Sequence, residues 1–180
     1  MIYFHNVPCL IRRLQAVRQI RVEWRLVTCD VLEAVIRHPG LRTLDLSLTD
    51  LSSVPACLPA RLVQRLEEVD MWNTELTTRQ LEAVLSAATT SSTLRKLNLG
   101  NNNLSLVEPG LLARAVNSLE EVDIRHTLIT REQVEAILSQ SLVQTSLKTL
   151  VMGRVSGGVQ QELVVRAQQV ISELSLCYVM

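Results

Sequence analysis

Residues 66–86 read LEEVDMWNTELTTRQLEAVLS, and residues 119–139 read LEEVDIRHTLITREQVEAILS. Two stretches this alike, with starts 53 residues apart, mean that the chain repeats itself. Working outward, the opening pattern L-x-x-L-x-L returns in LRTLDL from Leu41, LRKLNL from Leu94 and LKTLVM from Leu147, and VRQIRV from Val17 is a degraded sixth copy. The steps between starts are 24, 25, 28, 25 and 28 residues. Residues 41–65 and 94–118 also share their later positions, L-S-x-V and then L-x-A-R-x-V. The unit of repetition is therefore a pair, 53 residues long, with a shorter and a longer member.

One unit shows what the pattern does physically. In LEEVDM, alternation puts Leu66, Val69 and Met71 on one side of a short strand and the turn before it, and Glu68, Asp70 and Trp72 on the other. The ninth position holds Thr49, Thr74, Asn102 or Thr127, side chains able to bond the backbone where the chain leaves the strand. Leu51, Leu76, Leu104 and Ile129 then return to the core. The second half of each unit is helical in period: Leu81, Val84 and Leu85 share one face, as do Val134, Ile137 and Leu138. Thr77 or Thr78 can cap the first of these helices. Pro59 and Pro109 sit where a first helical turn begins, where the missing N–H costs nothing. A strand and helix this short cannot bury their apolar faces alone, so the units must stack, strands pairing in parallel and helices lining up outside. Helices are wider than strands, so the expected solenoid is curved, with a parallel sheet on its concave face and helices on its convex face. Residues 1–40 are read as an N-terminal cap and degraded first repeat, 41–146 as four regular repeats in two pairs, and 147–180 as a last repeat and C-terminal cap.

With L-x-x-L-x-L-x-x-N/T-x-L followed by a helix over about residues 17–175, the chain resembles leucine-rich-repeat proteins of the ribonuclease-inhibitor-like class, which includes the repeat arrays of NOD-like receptors. The resemblance implies an α/β solenoid that binds protein, or a regulatory or sensor fragment of a larger receptor. Activators of Ran-type GTPases share the repeat class, but their exposed arginine has no match here. The 25-residue members are short for the class, so their helices are expected to shrink to a single turn or a 3₁₀ segment. In the last unit Val155 and Gly157 replace the expected polar and apolar residues, which puts its turn in doubt.

Bulk properties narrow the function. The 180 residues are 47% apolar, enough for one domain with a sizeable core. Formal net charge is zero, so nothing global points to nucleic acid. Residues 1–40 are mildly basic, through Arg12, Arg13, Arg18, Arg21, Arg25 and Arg37, which fits a solvated cap or an anionic partner at that end. No apolar run is long enough to span a bilayer, and the N-terminal stretch, broken by His5, Asn6 and Pro8, does not read as a signal peptide. Cys9, Cys29, Cys57 and Cys177 match no zinc or redox spacing and are expected as small core residues in a reducing compartment, which places the protein in the cytoplasm. Asn103-Leu104-Ser105 forms one glycosylation triplet, of a kind common by chance. His5, His38 and His126 fall in different units with no recurring nucleophile beside them, so no enzyme is expected, and no cofactor or metal. The segment GRVSGG, from Gly153, lacks the Lys-Ser/Thr end of a phosphate loop and reads as the loop of a decayed repeat.

Three outward rows follow from the alternation. The first holds Gln19, Thr43, Glu68, Lys96, Glu121 and Thr149; the second Arg21, Asp45, Asp70, Asn98, Asp123 and Val151; the third Glu23, Ser47, Trp72, Gly100, Arg125 and Gly153. In the first row opposite charges can pair across strands about 5 Å apart. In the second, Asp45 and Asp70 are direct neighbours, so one pKa should rise unless Arg42 or Arg95 reaches across, solvent screens the pair, or a basic partner relieves it. Trp72 either anchors a partner or lies over Gly100 and shields the sheet. The candidate contacts are Trp72, Asp45, Asp70, Glu68, Glu121, Asp123 and Arg125, facing a protein with a basic surface. Trp24 reads as part of the cap, and His126, aligned with Asn73 and Asn101, as a turn residue. Residues 7–19 are expected as a capping helix with Leu10, Leu14 and Val17 inward, and ELVVRAQQVISEL as a second amphipathic helix. The apolar close SLCYVM points either to a fragment of a longer array or to a last turn that docks onto a partner or a copy of itself, so the chain is expected as a monomer or as weakly self-associating through its C-terminal end.

Overall fold

The structure, a computed structural model, describes residues 18–21, 27–153, 159 and 161–176. Seven short strands form one sheet in chain order: β1 (Gln19–Arg21), β2 (Thr43–Asp45), β3 (Glu68–Asp70), β4 (Lys96–Asn98), β5 (Glu121–Ile124), β6 (Thr149–Met152) and β7 (Glu173–Leu176). Every neighbouring pair is parallel. Between them, among the described residues, run six helices: α1 (Cys29–Ile36), α2 (Cys57–Arg65), α3 (Thr78–Thr90), α4 (Pro109–Asn117), α5 (Arg131–Ser141) and α6 (Gln161–Gln168). Each strand–helix unit stacks on the last, as expected of a solenoid with an open sheet.

The register places the repeat starts side by side. Thr43, Glu68, Lys96, Glu121, Thr149 and Glu173 form one outward row, and Asp45, Asp70, Asn98, Asp123, Val151 and Ser175 the next. Between them Leu44, Val69, Leu97, Val122 and Leu150 point inward and are buried. Leu51, Leu76, Leu104 and Ile129 return beneath the sheet, and Leu81, Val84, Leu85, Val134, Ile137 and Leu138 close the core from the helix side. A fully buried leucine contributes about 1.5–3 kcal/mol, and each of these meets neighbours supplied by adjoining units.

Helix starts follow the local chemistry. Thr77 and Thr130 cap α3 and α5 in complete capping boxes with Gln80 and Gln133. Pro109 opens α4 behind a Glu108 cap. In α2, Pro59 is the third residue, still within the first turn. The helices of the two 25-residue units are not single turns: α2 and α4 are regular α-helices of nine residues each. The shorter units save their residues in the helix itself and in the segment that follows it, and their loop before the helix is the longer one.

Several expectations are corrected. The C-terminal amphipathic segment is not one helix. It breaks after α6, and Glu173–Leu176 form β7 against β6. The reason lies in ISELSL, from Ile171, an I-x-x-L-x-L copy that begins 24 residues after Leu147. Gln19, assigned to the end of a capping helix, belongs to β1. Cys29 and Cys57 are exposed rather than core, because they occupy the first positions of α1 and α2, outside the inward stripe. Residues 7–17 of the expected cap, Cys9, His5, Glu23, Trp24, residues 154–158 of GRVSGG and 177–180 of SLCYVM lie outside the described residues.

Candidate functional site

The second outward row is tied down from within. The Oδ1 atoms of Asp45, Asp70, Asn98 and Asp123 accept the N–H groups of Ser47 (2.9 Å), Trp72 (2.8 Å), Gly100 (2.9 Å) and Arg125 (3.0 Å). Each is an Asx turn that ends its strand. The recurrence of Asp or Asn at this position was the available signal for this role. The next residue but two from each enters the left-handed region: Leu48, Asn73, Asn101 and His126 have φ of 64°, 51°, 55° and 58°. Asn accepts that conformation most readily. His126 is thus a turn residue. Beneath it, position nine seals the turn: Thr74 Oγ1 donates to the Met71 carbonyl (2.9 Å), Thr127 Oγ1 to that of Ile124 (2.7 Å), and Asn102 Nδ2 to those of Met71 (2.8 Å) and Leu99 (3.0 Å).

The first row pairs as expected, whereas the second row's carboxylates do not meet the cations considered from sequence. Arg42 and Arg95 do not reach Asp45 or Asp70. They lie one position earlier and bond Glu67 and Glu120. Asp45 instead meets Arg21 of β1 at 3.1 Å, and Asp123 is held by the guanidinium of Arg125. In the first row Lys96 lies between Glu121 (3.0 Å) and Glu68 (3.9 Å). Asp70 has no ion pair among the described residues. Its Oδ2 accepts from Asn98 Nδ2 at 3.1 Å. Its pKa is raised chiefly because burial disfavours the charge, with the Asp45 and Asp123 carboxylates adding to the rise and the bonds from Trp72 and Asn98 opposing it. Repulsion from Asp45 is real but secondary.

Of the two arrangements weighed for it, Trp72 shows the packing one. It stays on the outward side, half-buried, and its ring lies over Gly100: a β-carbon there would fall 2.3 Å from Cε3 and Cζ3. The ring also meets His126 edge-on, centroids 5.5 Å apart. So Gly100 leaves no open gap beside Trp72. Asp45, Glu68, Asp70, Glu121 and Asp123 line one shallow groove of about 380 Å³ across the strands, with Lys96 at its centre. Trp72 and Arg125 do not line it. They stand at the strand exits, beyond the row that does. Among the described residues no group of three His, Cys, Asp or Glu side chains converges as a metal would require.

The leucine-rich-repeat family model matches residues 93–115, spanning β4, its turn and the start of α4. The fold is a leucine-rich-repeat solenoid. No curated protein sequence matches the chain significantly. Among solved structures it is similar to the tropomodulin C-terminal domain of Caenorhabditis elegans, with a TM-score of 0.51 at 16% identity over 71% of this chain and 84% of that one. It is also similar to leiomodin-1 actin-binding site 2, with a TM-score of 0.47 at 15% identity over 68% of this chain and 78% of that one. At this identity the first likeness is one of fold alone. No helix among the described residues is long and apolar enough to cross a membrane.

Proposed function

We propose that the solenoid is a non-enzymatic protein-binding module that takes its partner on the strand face. One observation carries this reading: residues of six consecutive strands line a single groove of about 380 Å³, and Asx turns at the exits of the middle four hold their backbone in place. Rigid presentation lowers the ordering cost of association. The groove carries Asp45, Glu68, Asp70, Glu121 and Asp123 against Lys96, so the partner is a protein with basic side chains. The strand-then-helix plan of the units supports a place in the ribonuclease-inhibitor-like class.

Trp72→Ala is a poor probe of this reading, because Trp72 packs on Gly100 and His126 and its loss also lowers stability. Glu68→Arg with Glu121→Arg is cleaner. Both side chains are nearly half exposed, and among the described residues Lys96 is the cation that pairs with them. Proteins captured by the parent chain should be lost from this variant and kept by Glu82→Arg on the outer face of α3, with melting temperatures alike. Retention by the groove variant and loss from the helix variant would move the site to the convex side.

A further inference from the structure

Within the four regular units, residues 41–146, the two kinds of joint are built differently, and we infer from this a pairing rule: that part of the array accepts or sheds repeats only as 53-residue pairs. At the joint from a 25- to a 28-residue unit, a buried glutamine reaches back. Gln80 Nε2 donates to the carbonyls of Leu51 and Val54, both at 2.6 Å, and Gln133 Nε2 to those of Leu104 and Val107, both at 2.7 Å. The other end of each amide accepts the N–H of its own helix cap, Thr77 or Thr130, at 2.8 Å. One side chain therefore fixes its own helix start and the preceding loop together. Charges agree across the same joints: Arg42 bonds Glu67 at 2.5 Å, Arg95 bonds Glu120, and Lys96 bonds Glu121.

The joint from a 28- to a 25-residue unit, between residues 66–93 and 94–118, has no such glutamine. Glu108 holds that position and is spent capping α4, accepting from Gly110 (2.7 Å) and Leu111. Asparagines join the turns instead. Asn98 bonds Asp70, Asn101 Nδ2 donates to Asn73 Oδ1 at 2.6 Å, and Asn102 donates to the Met71 carbonyl while its Oδ1 accepts the Leu76 N–H at 3.3 Å. Trp72 of the longer unit needs the glycine at position 100 of the shorter one.

Like beside like breaks both sets. Two shorter units would align Arg95 and Lys96 with their own kind and supply no glutamine. Two longer units would align Glu67 and Glu68 with Glu120 and Glu121, and Asp70 with Asp123, with no asparagine between. The strand face therefore grows in steps of two strands, about 10 Å, each step repeating the same alternation of charge.

Insertion tests the rule without removing core. One variant carries a second copy of residues 66–118 after Ser118, so that every joint is of a native kind. The other carries a second copy of 94–118 alone. The first should melt as one transition above the parent, as an added well-matched repeat does in a solenoid. The second should melt at least about 3 °C below the parent. Part of that loss should disappear at high salt, where the repulsion between Arg95 and Lys96 and their own copies is screened. Equal shifts of the same sign for the 53- and 25-residue insertions would overturn the rule, as would a loss in the 25-residue insertion that high salt leaves unchanged.

Discussion

Trp72 and Gly100, on adjacent units, share one volume: the ring of the first occupies the space a β-carbon on the second would need, with Cε3 and Cζ3 2.3 Å from it. Gly100→Ala must therefore move the ring or the strand exit, because the Arg125 carbonyl closes the other side at 3.1 Å. Overpacking of this kind costs about 1–3 kcal/mol. In the Gly100→Ala background, Trp72→Ala should cost less than it does in the parent chain. Denaturant unfolding of the two single variants and the double variant measures that coupling. Additive losses would mean that the ring does not rest on Gly100.

Asp70 makes stability depend on pH in a direction opposite to most carboxylates. Burial raises its folded pKa above the ordinary aspartate value of 3.8, so the folded state holds the proton more tightly than the unfolded chain does. Well below that value Asp70 costs nothing. Stability is lost as the pH rises from the unfolded pKa through the folded one. Glu120 works the other way. Bonds from Lys148 and then Arg95 lower its pKa from 4.5, so its contribution is present at higher pH and is lost on acidification. Comparing the parent with Asp70→Asn separates them, since Glu120 is common to both. Unfolding midpoints from about pH 3 to 7 should show the parent losing ground to the variant as the pH rises. A difference that stays flat or runs upward would contradict the buried-carboxylate account.

Gln80 joins two units through one buried amide, and its replacement exposes the size of that link. Gln80→Ala leaves the Leu51 and Val54 carbonyls without their side-chain donor and the Thr77 N–H without its acceptor. Leaving a buried polar group unpaired costs about 1–3 kcal/mol, so a total loss of about 2–4 kcal/mol is expected. Gln80→Glu should be worse, since a carboxylate would face two carbonyl oxygens with no donor to offer. Urea denaturation ranks the three chains. An equal stability of parent and Gln80→Glu would show that the amide does not bridge the units.

What could be read in the sequence was whatever depends on period. Leucine spacing placed the strands, and alternation put Glu68, Asp70 and Trp72 on the outward side in the register observed. Features that depend on distant pairing were hidden. A glutamine three residues after a threonine reads as a capping box, and nothing local says that its amide also spans 26 and 29 residues to older carbonyls. Arg21 was passed over as the partner of Asp45 because its own unit is degraded, although its place in the row was right. Cys29 and Cys57 were assigned by residue type, and position within the helix overrode type.

The seventh strand shows the same competition at the C-terminal end. Residues 161–171 have helical spacing, and Ile171 also satisfies it, which masked the copy ISELSL. In the structure Ile171 is buried and Leu174 packs against the core, one unit beyond Leu147 and Leu150. β7 pairs with β6 through four residues, so its backbone is as well bonded on that side as any interior strand. Ile171→Ala should then cost about 2–4 kcal/mol, as for a buried aliphatic residue in a core. Its effect should concentrate in β6, β7 and α6, because units in a solenoid contact only their neighbours. Amide hydrogen exchange resolves this: Thr149–Met152 and Glu173–Leu176 should lose protection in the variant while Lys96–Asn98 keeps it. A helix signature over 172–176, or unchanged protection in β6, would remove the seventh repeat from the fold.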